Sequence, residues 1–259
     1  MNTIMLVTRN GSGRAAAVAS QAASAFSDAG LSLVEEGTPD CVVAIGGDGT
    51  VLRAGAVAVE RKVPICGINV GRVGYLAEYE PQEIDELADA LANDSYSLRE
   101  HSVLEVESNG LSAYAINDVV IEKVVSQRII NVEVEVNGRP LATYRTDGIV
   151  VATPLGSTAY SLSAGGPVVD PSIDAIILTP VAPHSLLTRA IVLTPDSVVS
   201  FTVTVDRPAR INVDGREMTQ VDPGGTASVR RAERSVSFVS LDRHPFPEAL
   251  REQFGLDHA

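Results

Sequence analysis

The chain is 259 residues long and carries 33 acidic against 20 basic side chains, a net charge of −13. That balance excludes the basic footprint a general nucleic-acid binder needs, and no stretch approaches the roughly 18–20 apolar residues of a membrane-spanning helix. Apolar residues supply 45% of the chain but aromatics only 4%, with no Trp, so the expected core is Val, Ile, Leu and Ala.

Met1 to Arg14 has no basic region leading into a long apolar one, so a secretory leader is not expected and a cytoplasmic location is. Cys41 and Cys66 each sit beside an apolar run at a separation that fits no zinc motif, and buried, reduced thiols are expected. Lys occurs only at Lys62 and Lys123; the other bases are Arg. An acidic, Lys-poor, Ala- and Val-rich chain is what a high-salt cytoplasm selects, because salt screens its self-repulsion. A halophilic archaeal source is the expectation.

Along the chain, Ile4 to Thr8 reads as a strand and Arg14 to Ala29 as an Ala-rich helix closed by Gly30. Leu31 to Val34 and Cys41 to Ile45 read as strands, and Val51 to Glu60 as a helix. Pro64 to Asn69 is a further strand, and Pro81 to Ala92 is helical, with Ile84, Leu87 and Leu91 on one face. Alternating strands and helices imply an α/β domain over 1–95 with a mostly parallel sheet. Two glycine loops, Gly46 to Thr50 and Gly71 to Gly74, fall at the carboxyl ends of its strands, where such sheets bind ligands.

From 96 to 240 the pattern is mainly β. Strands are expected at Val103–Glu107, Ala113–Val120, Val132–Asn137, Ile149–Thr153, Ile176–Thr179, Val198–Val205, Arg210–Val213, Ala227–Arg231 and Ser235–Leu241. Asn109-Gly110, Asn137-Gly138 and Asp214-Gly215 mark turns between them. Residues 241–259 form a closing segment with a short helix over Pro245 to Gly255.

The run Ile45-Gly46-Gly47-Asp48-Gly49-Thr50-Val51-Leu52-Arg53 carries the chemistry. Glycines let backbone N–H groups approach a phosphate. A carboxylate in such a loop repels phosphate unless a reacting proton or a metal needs it, which points to phosphoryl transfer. The bland reading is a strand-to-helix turn with Asp48 as helix cap. Asn10-Gly11-Ser12-Gly13-Arg14-Ala15-Ala16 fits the dinucleotide pattern G-x-G-x-x-A, with Glu35 about 20 residues on. A tight turn with a helix cap, or a kinase's phosphate turn, fits it equally. Thr153 to Pro167 is dense in small and hydroxyl residues, suiting ribose, an adenine edge or phosphate. Tyr160 could stack on a base or lie in the core. Asn117-Asp118 and Arg145-Thr146-Asp147 lie at strand ends, where solvated turns are common. His184 stands without a metal-ligand cluster, no hydrolase spacing is present, and there is no P-loop motif.

Taken in this order, the segments resemble the ATP-NAD kinase family. The matching stretches are Gly46–Thr50, Gly67–Leu76, Asn117-Asp118, Asp147 through Pro167, and Thr179–His184, and the similarity spans about residues 40–220. The resemblance implies a phosphofructokinase- and diacylglycerol-kinase-like α/β domain plus a mainly β domain, with the final residues returning to the first. It implies that NAD is phosphorylated on the 2'-hydroxyl of its adenosine ribose by ATP or polyphosphate, with Mg²⁺. Asp48 would be the base, Gly49 would let the chain approach, and Arg53 would face phosphates. Asn117 and Asp118 would bind ribose hydroxyls. Thr158, Ala159, Tyr160, Ser161, Leu162 and Ser163 would line the adenine side. Arg145, Asp147 and Ala182 match positions that reach a neighbouring subunit's site, implying a homodimer or homotetramer, and Arg128 and Arg216 match further contact positions. No membrane or nucleic-acid partner is implied. Leu155, Val73 and Ala190 depart from the usual pattern without removing a group assigned to chemistry. The rival readings are a lipid kinase on the same core, an NAD(P)-binding regulatory paralogue, and a dehydrogenase suggested by Gly11-Ser12-Gly13.

Overall fold

A computed structural model describes residues 1–9, 11, 13–71, 74–204, 207–241 and 246–256, without the side chains of 252 and 253. In chain order the elements are β1 (Thr3–Thr8), α1 (Gly13–Asp28), β2 (Ser32–Leu33), β3 (Cys41–Gly46), α2 (Asp48–Arg61), β4 (Ile65–Asn69), α3 (Ile84–Ala92), β5 (Ser97–Ser108), β6 (Leu111–Ala115), β7 (Asp118–Lys123), β8 (Ile130–Val136) and β9 (Arg139–Thr146). They continue with β10 (Gly148–Ala152), α4 (Tyr160–Ser163), β11 (Ile176–Val181), β12 (Ile191–Leu193), β13 (Val198–Thr204), β14 (Ala209–Val213), β15 (Arg216–Val221), β16 (Thr226–Ser240) and α5 (Phe246–Phe254). The chain divides into two units, 1–101 with 236–259, and 102–235.

In the first unit β2, β1, β3, β4 and the end of β16 lie side by side, all parallel. β3 and β4 are buried on both faces, as their unbroken apolar sequences require. α1 and α3 pack together on the face bearing Cys41, Val43 and Ile45; Val18, Ala22, Phe26, Leu87 and Leu91 fill that layer. α2 covers the opposite face. Its Val51 lies where a Cβ on Gly67 would stand, so that glycine sets the distance between helix and strand. α2 ends at Lys62 in the left-handed region, φ 57°, whose N–H returns to the Ala58 carbonyl. Both cysteines are free and buried. The Cys66 thiol is pushed well up by hydrogen bonding to Cys41 and by burial, which leaves it unreactive.

The second unit is a sandwich. One sheet runs β16, β13, β8, β9, with β5 paired to β16 and β6 paired to β5; the other runs β12, β11, β10, β7, β14, β15. Tyr144, Phe201, Val132, Val134, Val151, Leu178 and Ile211 fill the space between them. The three Asn/Asp-Gly pairs each form the two-residue link of a hairpin, with both residues at positive φ: Asn109 and Gly110, Asn137 and Gly138, Asp214 and Gly215.

Four features differ from the sequence expectation. Ala113–Val120 is two strands, broken at Ile116-Asn117. Ala227–Arg231 and Ser235–Leu241 are one 15-residue strand. β9, β12 and β15 were not expected: β9 holds Pro140 beside a bulge and exposes alternate polar residues, and β12 and β15 are sheet edges. Residues 155–163, where no helix was expected, wind into a 3-10 turn (Leu155–Thr158) and then α4.

Candidate active site

In the first unit β3 delivers the chain to Gly46, where a Cβ would overlap the Thr50 side chain, 2.7 Å from its Cβ. Gly47, not Asp48, is the helix N-cap, and Asp48 is the first residue of α2. A negative side chain suits that end of the helix dipole. Its carboxylate is nevertheless turned away from capping: Oδ2 accepts the Tyr75 N–H and Oδ1 the Leu76 N–H, each at 3.0 Å. The second glycine loop therefore fixes the acid of the first. Gly74 allows it, since a Cβ there would overlap Asp48 Oδ1 and lie 2.9 Å from its Cγ. We expect Gly74→Ala to lower kcat at least about tenfold while costing only ~1 kcal/mol of stability, because the loop can shift but the carboxylate then moves. Steady-state kinetics beside urea unfolding check this.

Asn69, 2% exposed, shapes the same loop. Its Oδ1 accepts the Gly71 N–H and its Nδ2 donates to Glu80 Oε1, both at 3.0 Å. Arg53, one turn along α2 from Gly49, reaches the carboxyl end of β1, where Nη2 donates to the Thr8 carbonyl. Asp48, Gly49 and Arg53 thus share the carboxyl edge of the parallel sheet. Gly11, at φ 75°, belongs to the turn that precedes α1. Asn10 and Ser12 of the dinucleotide-like turn, and Arg72 and Val73 of the second loop, lie outside the described residues.

In the second unit Asn117 and Asp118 sit at the break that opens β7. Every backbone group of 116–118 has a partner. The three N–H groups donate to the Asp214 carboxylate, at 2.9, 2.8 and 3.2 Å. The Ile116 carbonyl accepts Thr153 Oγ1, the Asn117 carbonyl the Thr153 N–H, and the Asp118 carbonyl the Asp214 N–H. Gly156 packs against Asn117 so closely that a Cβ would lie 2.5 Å from its Cα. Amid this satisfaction Asn117 Oδ1 is buried and, among the described residues, unpartnered. A buried acceptor left so calls for a donor from outside the chain, a water or a ligand.

Asp118 is 5% exposed. Burial first, and then the Asp214 charge, push its carboxyl up to about 7, against the pull of the Tyr160 backbone N–H. Burial raises Asp214 too, offset by its three N–H donors and by Arg216. Sequence reading took Asp214 only as a turn residue; its partners lie about a hundred positions away, where no local pattern could show them.

Thr158 and Ala159 are half-buried at the turn into α4, and Tyr160 and Ser163 are exposed beside them. Burial, then Glu122, Asp147 and Asp118, raise the Tyr160 phenol, so it stays a neutral donor. Leu162 is half-buried, whereas Ser161 is fully buried with its hydroxyl on Thr179 and Gly166 against it. Ser161 thus supports the loop from beneath. Arg145, Asp147 and Ala182 come together: the Arg145 carbonyl accepts the His184 N–H, the Asp147 N–H donates to the Val181 carbonyl, and Ala182 turns at φ 45°. Lys123, missed in the sequence, pairs with Asp147 at 2.6 Å. Arg128 is exposed between β7 and β8, and Arg216 follows the Asp214-Gly215 turn.

A carboxylate held at a strand–glycine–helix turn, on the carboxyl edge of a parallel sheet, fits a phosphotransferase that acts on a hydroxyl group. The ATP-NAD kinase N-terminal domain family matches residues 5–96, and the ATP-NAD kinase C-terminal domain family residues 116–241. NAD kinase 2 of Streptomyces avermitilis is 37% identical over 87% of this chain and 79% of its own. The NAD kinase of Corynebacterium diphtheriae is 39% identical over 82% and 69%. Among solved structures, an Archaeoglobus fulgidus NAD kinase in complex with ATP superposes with a TM-score of 0.78 at 26% identity, over 98% of both chains. Yeast NADH kinase with NADH shares the fold, with a TM-score of 0.90 at 20% identity over 100% of this chain and 89% of that one. The chain belongs to the ATP-NAD kinase family.

Proposed function

We propose that this NAD kinase transfers the terminal phosphate of ATP to the 2'-hydroxyl of the adenosine ribose of NAD, with Asp48 as the base. The observation that carries the assignment is the double N–H clamp on Asp48. Each carboxylate oxygen gives one lone pair to the clamp and keeps another for a substrate hydroxyl. A carboxylate is a far weaker base than an alkoxide, so the proton moves late, as the oxygen attacks phosphorus. Positioning and charge neutralisation supply most of the rate.

Among the described residues no three His, Cys, Asp or Glu side chains converge to hold a metal. That donor set fits Mg²⁺ arriving on the nucleotide, since Mg²⁺ takes one or two carboxylates and relies on phosphate and water for the rest. There it would neutralise charge on the transferring phosphate. Arg53 and Gly49 then face phosphate, and the unpartnered Asn117 Oδ1 accepts a ribose hydroxyl beside Asp118. Thr158, Ala159, Tyr160, Leu162 and Ser163 line the adenine side. The cluster of Arg145, Asp147 and Ala182 completes the site of a second subunit in a homodimer or homotetramer, with Arg128 and Arg216 as outer contacts. The acid-rich composition supports a cytoplasm of high salt.

The test offers NAD with ATP or polyphosphate and Mg²⁺ in molar KCl, and reads NADP with an NADP-specific dehydrogenase. No NADP from a folded, NAD-binding protein would overturn the proposal. Arg145→Ala is expected to raise the NAD dissociation constant about tenfold through the subunit boundary. Unchanged affinity in an intact oligomer would remove that role.

A further inference from the structure

We propose that Asp214 is a positioning residue for substrate binding, a carboxylate that holds Asn117 and Asp118 in register so that both side chains meet the substrate's hydroxyls. The inference rests on reading Asn117-Asp118 as the ribose-binding pair and adds a residue that acts through it. The geometry carries it. Asp214 accepts three consecutive N–H groups, from Ile116, Asn117 and Asp118, at the break between β6 and β7. Three N–H groups in a row at such a break have no strand partner, and buried donors must find one. Asp214 reaches them because it turns at φ 47° at the head of the β14–β15 hairpin, a conformation that Asp tolerates better than most residues. Its own N–H donates to the Asp118 carbonyl, which closes the cycle. Thr153 and Gly156 hold the opposite side of the segment. Asn117 Oδ1 is left buried and unpartnered among the described residues.

The same contact places two carboxyl groups together in a buried site. Burial raises the Asp214 carboxyl, while its three N–H donors and Arg216 favour the charged form, and that charge is the second cause, after burial, of the raised Asp118 carboxyl. The other group on Asp118 is the Tyr160 N–H; Glu122, Asp147 and Lys123 gather around the Tyr160 phenol. Asp118 therefore titrates near neutrality, and the Asp214 charge helps to keep it there.

The test is Asp214→Asn, which keeps the shape, removes the charge and puts an NH₂ where an acceptor was needed. KM for NAD should rise about tenfold or more, with kcat changed much less. The break in kcat/KM for NAD near pH 7 should move to lower pH, because a like charge beside Asp118 is gone. A merely structural role would lower the amount of active enzyme without moving that break. Asp118→Asn, which leaves the three N–H bonds in place, should abolish the break, and it serves if Asp214→Asn does not fold. Persistence of the break in Asp118→Asn overturns the proposal. So does an Asp214→Asn enzyme with unchanged KM and pH profile, provided Asn117→Ala raises KM. If Asn117→Ala and Asp118→Asn both leave KM for NAD unchanged, the reading of the pair fails, and Asp214 falls with it.

Discussion

Asp48→Asn is expected to lower kcat by at least about 10³-fold while leaving NAD affinity within about threefold. General-base contributions account for roughly 10²–10⁴. A second loss adds to this. Asn keeps one oxygen, so either the Tyr75 or the Leu76 N–H would face an NH₂ group instead of an acceptor. The side chain would then turn, and the position that meets the reacting hydroxyl would be lost along with the charge. On the proposed assignment NAD is held mainly by the Asn117–Asp118 cluster and the 158–163 turn, which the substitution does not touch. Isothermal calorimetry for NAD, set beside the coupled NADP assay, separates the two effects. Near-wild-type turnover would remove Asp48 from the chemistry. A parallel loss of NAD affinity would mean that the loop, not the base, had failed.

Gly156→Ala should be the most damaging single-methyl change in the second unit. The added Cβ would overlap the Asn117 carbonyl and lie 2.5 Å from its Cα. Both are backbone, and Asp214 and Thr153 already hold that backbone on its other sides. No flexible side chain can yield. About 3 kcal/mol of stability should be lost, the upper end for overpacking. NAD affinity should also fall more than tenfold, because the pair is pushed out of register. Urea unfolding and NAD titration report the two separately. A variant with wild-type stability would show that the 155–158 turn can move as a body.

The parts of this fold legible in the sequence are those governed by neighbours. Cys41 to Gly46 is an unbroken apolar run ending in glycine, so its strand and the turn after it follow from local pattern alone. Ile84, Leu87 and Leu91 mark the face of α3 in the same way. The Asn-Gly and Asp-Gly pairs announce hairpins because few other residues accept left-handed φ. The candidate residues Asp48, Asn117 and Asp118 were legible as residues, but what holds them was not. The clamp on Asp48 comes from 27 and 28 positions away, and that on Asn117 from 97. The turn-cap reading of Asp48 gave way for this reason: Gly47 caps the helix and frees the carboxylate for a distant partner. Lys123 and Ser161 show the converse, since the first is tied to Asp147 and the second is buried on Thr179. Neither contact leaves a mark on the residues beside them.

The placement of β16 bears on how the chain is made. Its end supplies a strand of the first unit, where Phe238 pairs with Ile65 and the Tyr79 hydroxyl donates to the Val239 carbonyl. The second unit, by contrast, is one continuous stretch, 102–235. On a ribosome adding roughly 5–20 residues per second, the β-sandwich is complete before the α/β sheet has its last strand. For several seconds the edge of β4 has no neighbour on that side, and Tyr79, fully buried later, has no strand against it. Exposed strand edges recruit other chains. The interval in which this protein is most exposed to aggregation or chaperone capture thus lies late in synthesis, in the half that is made first.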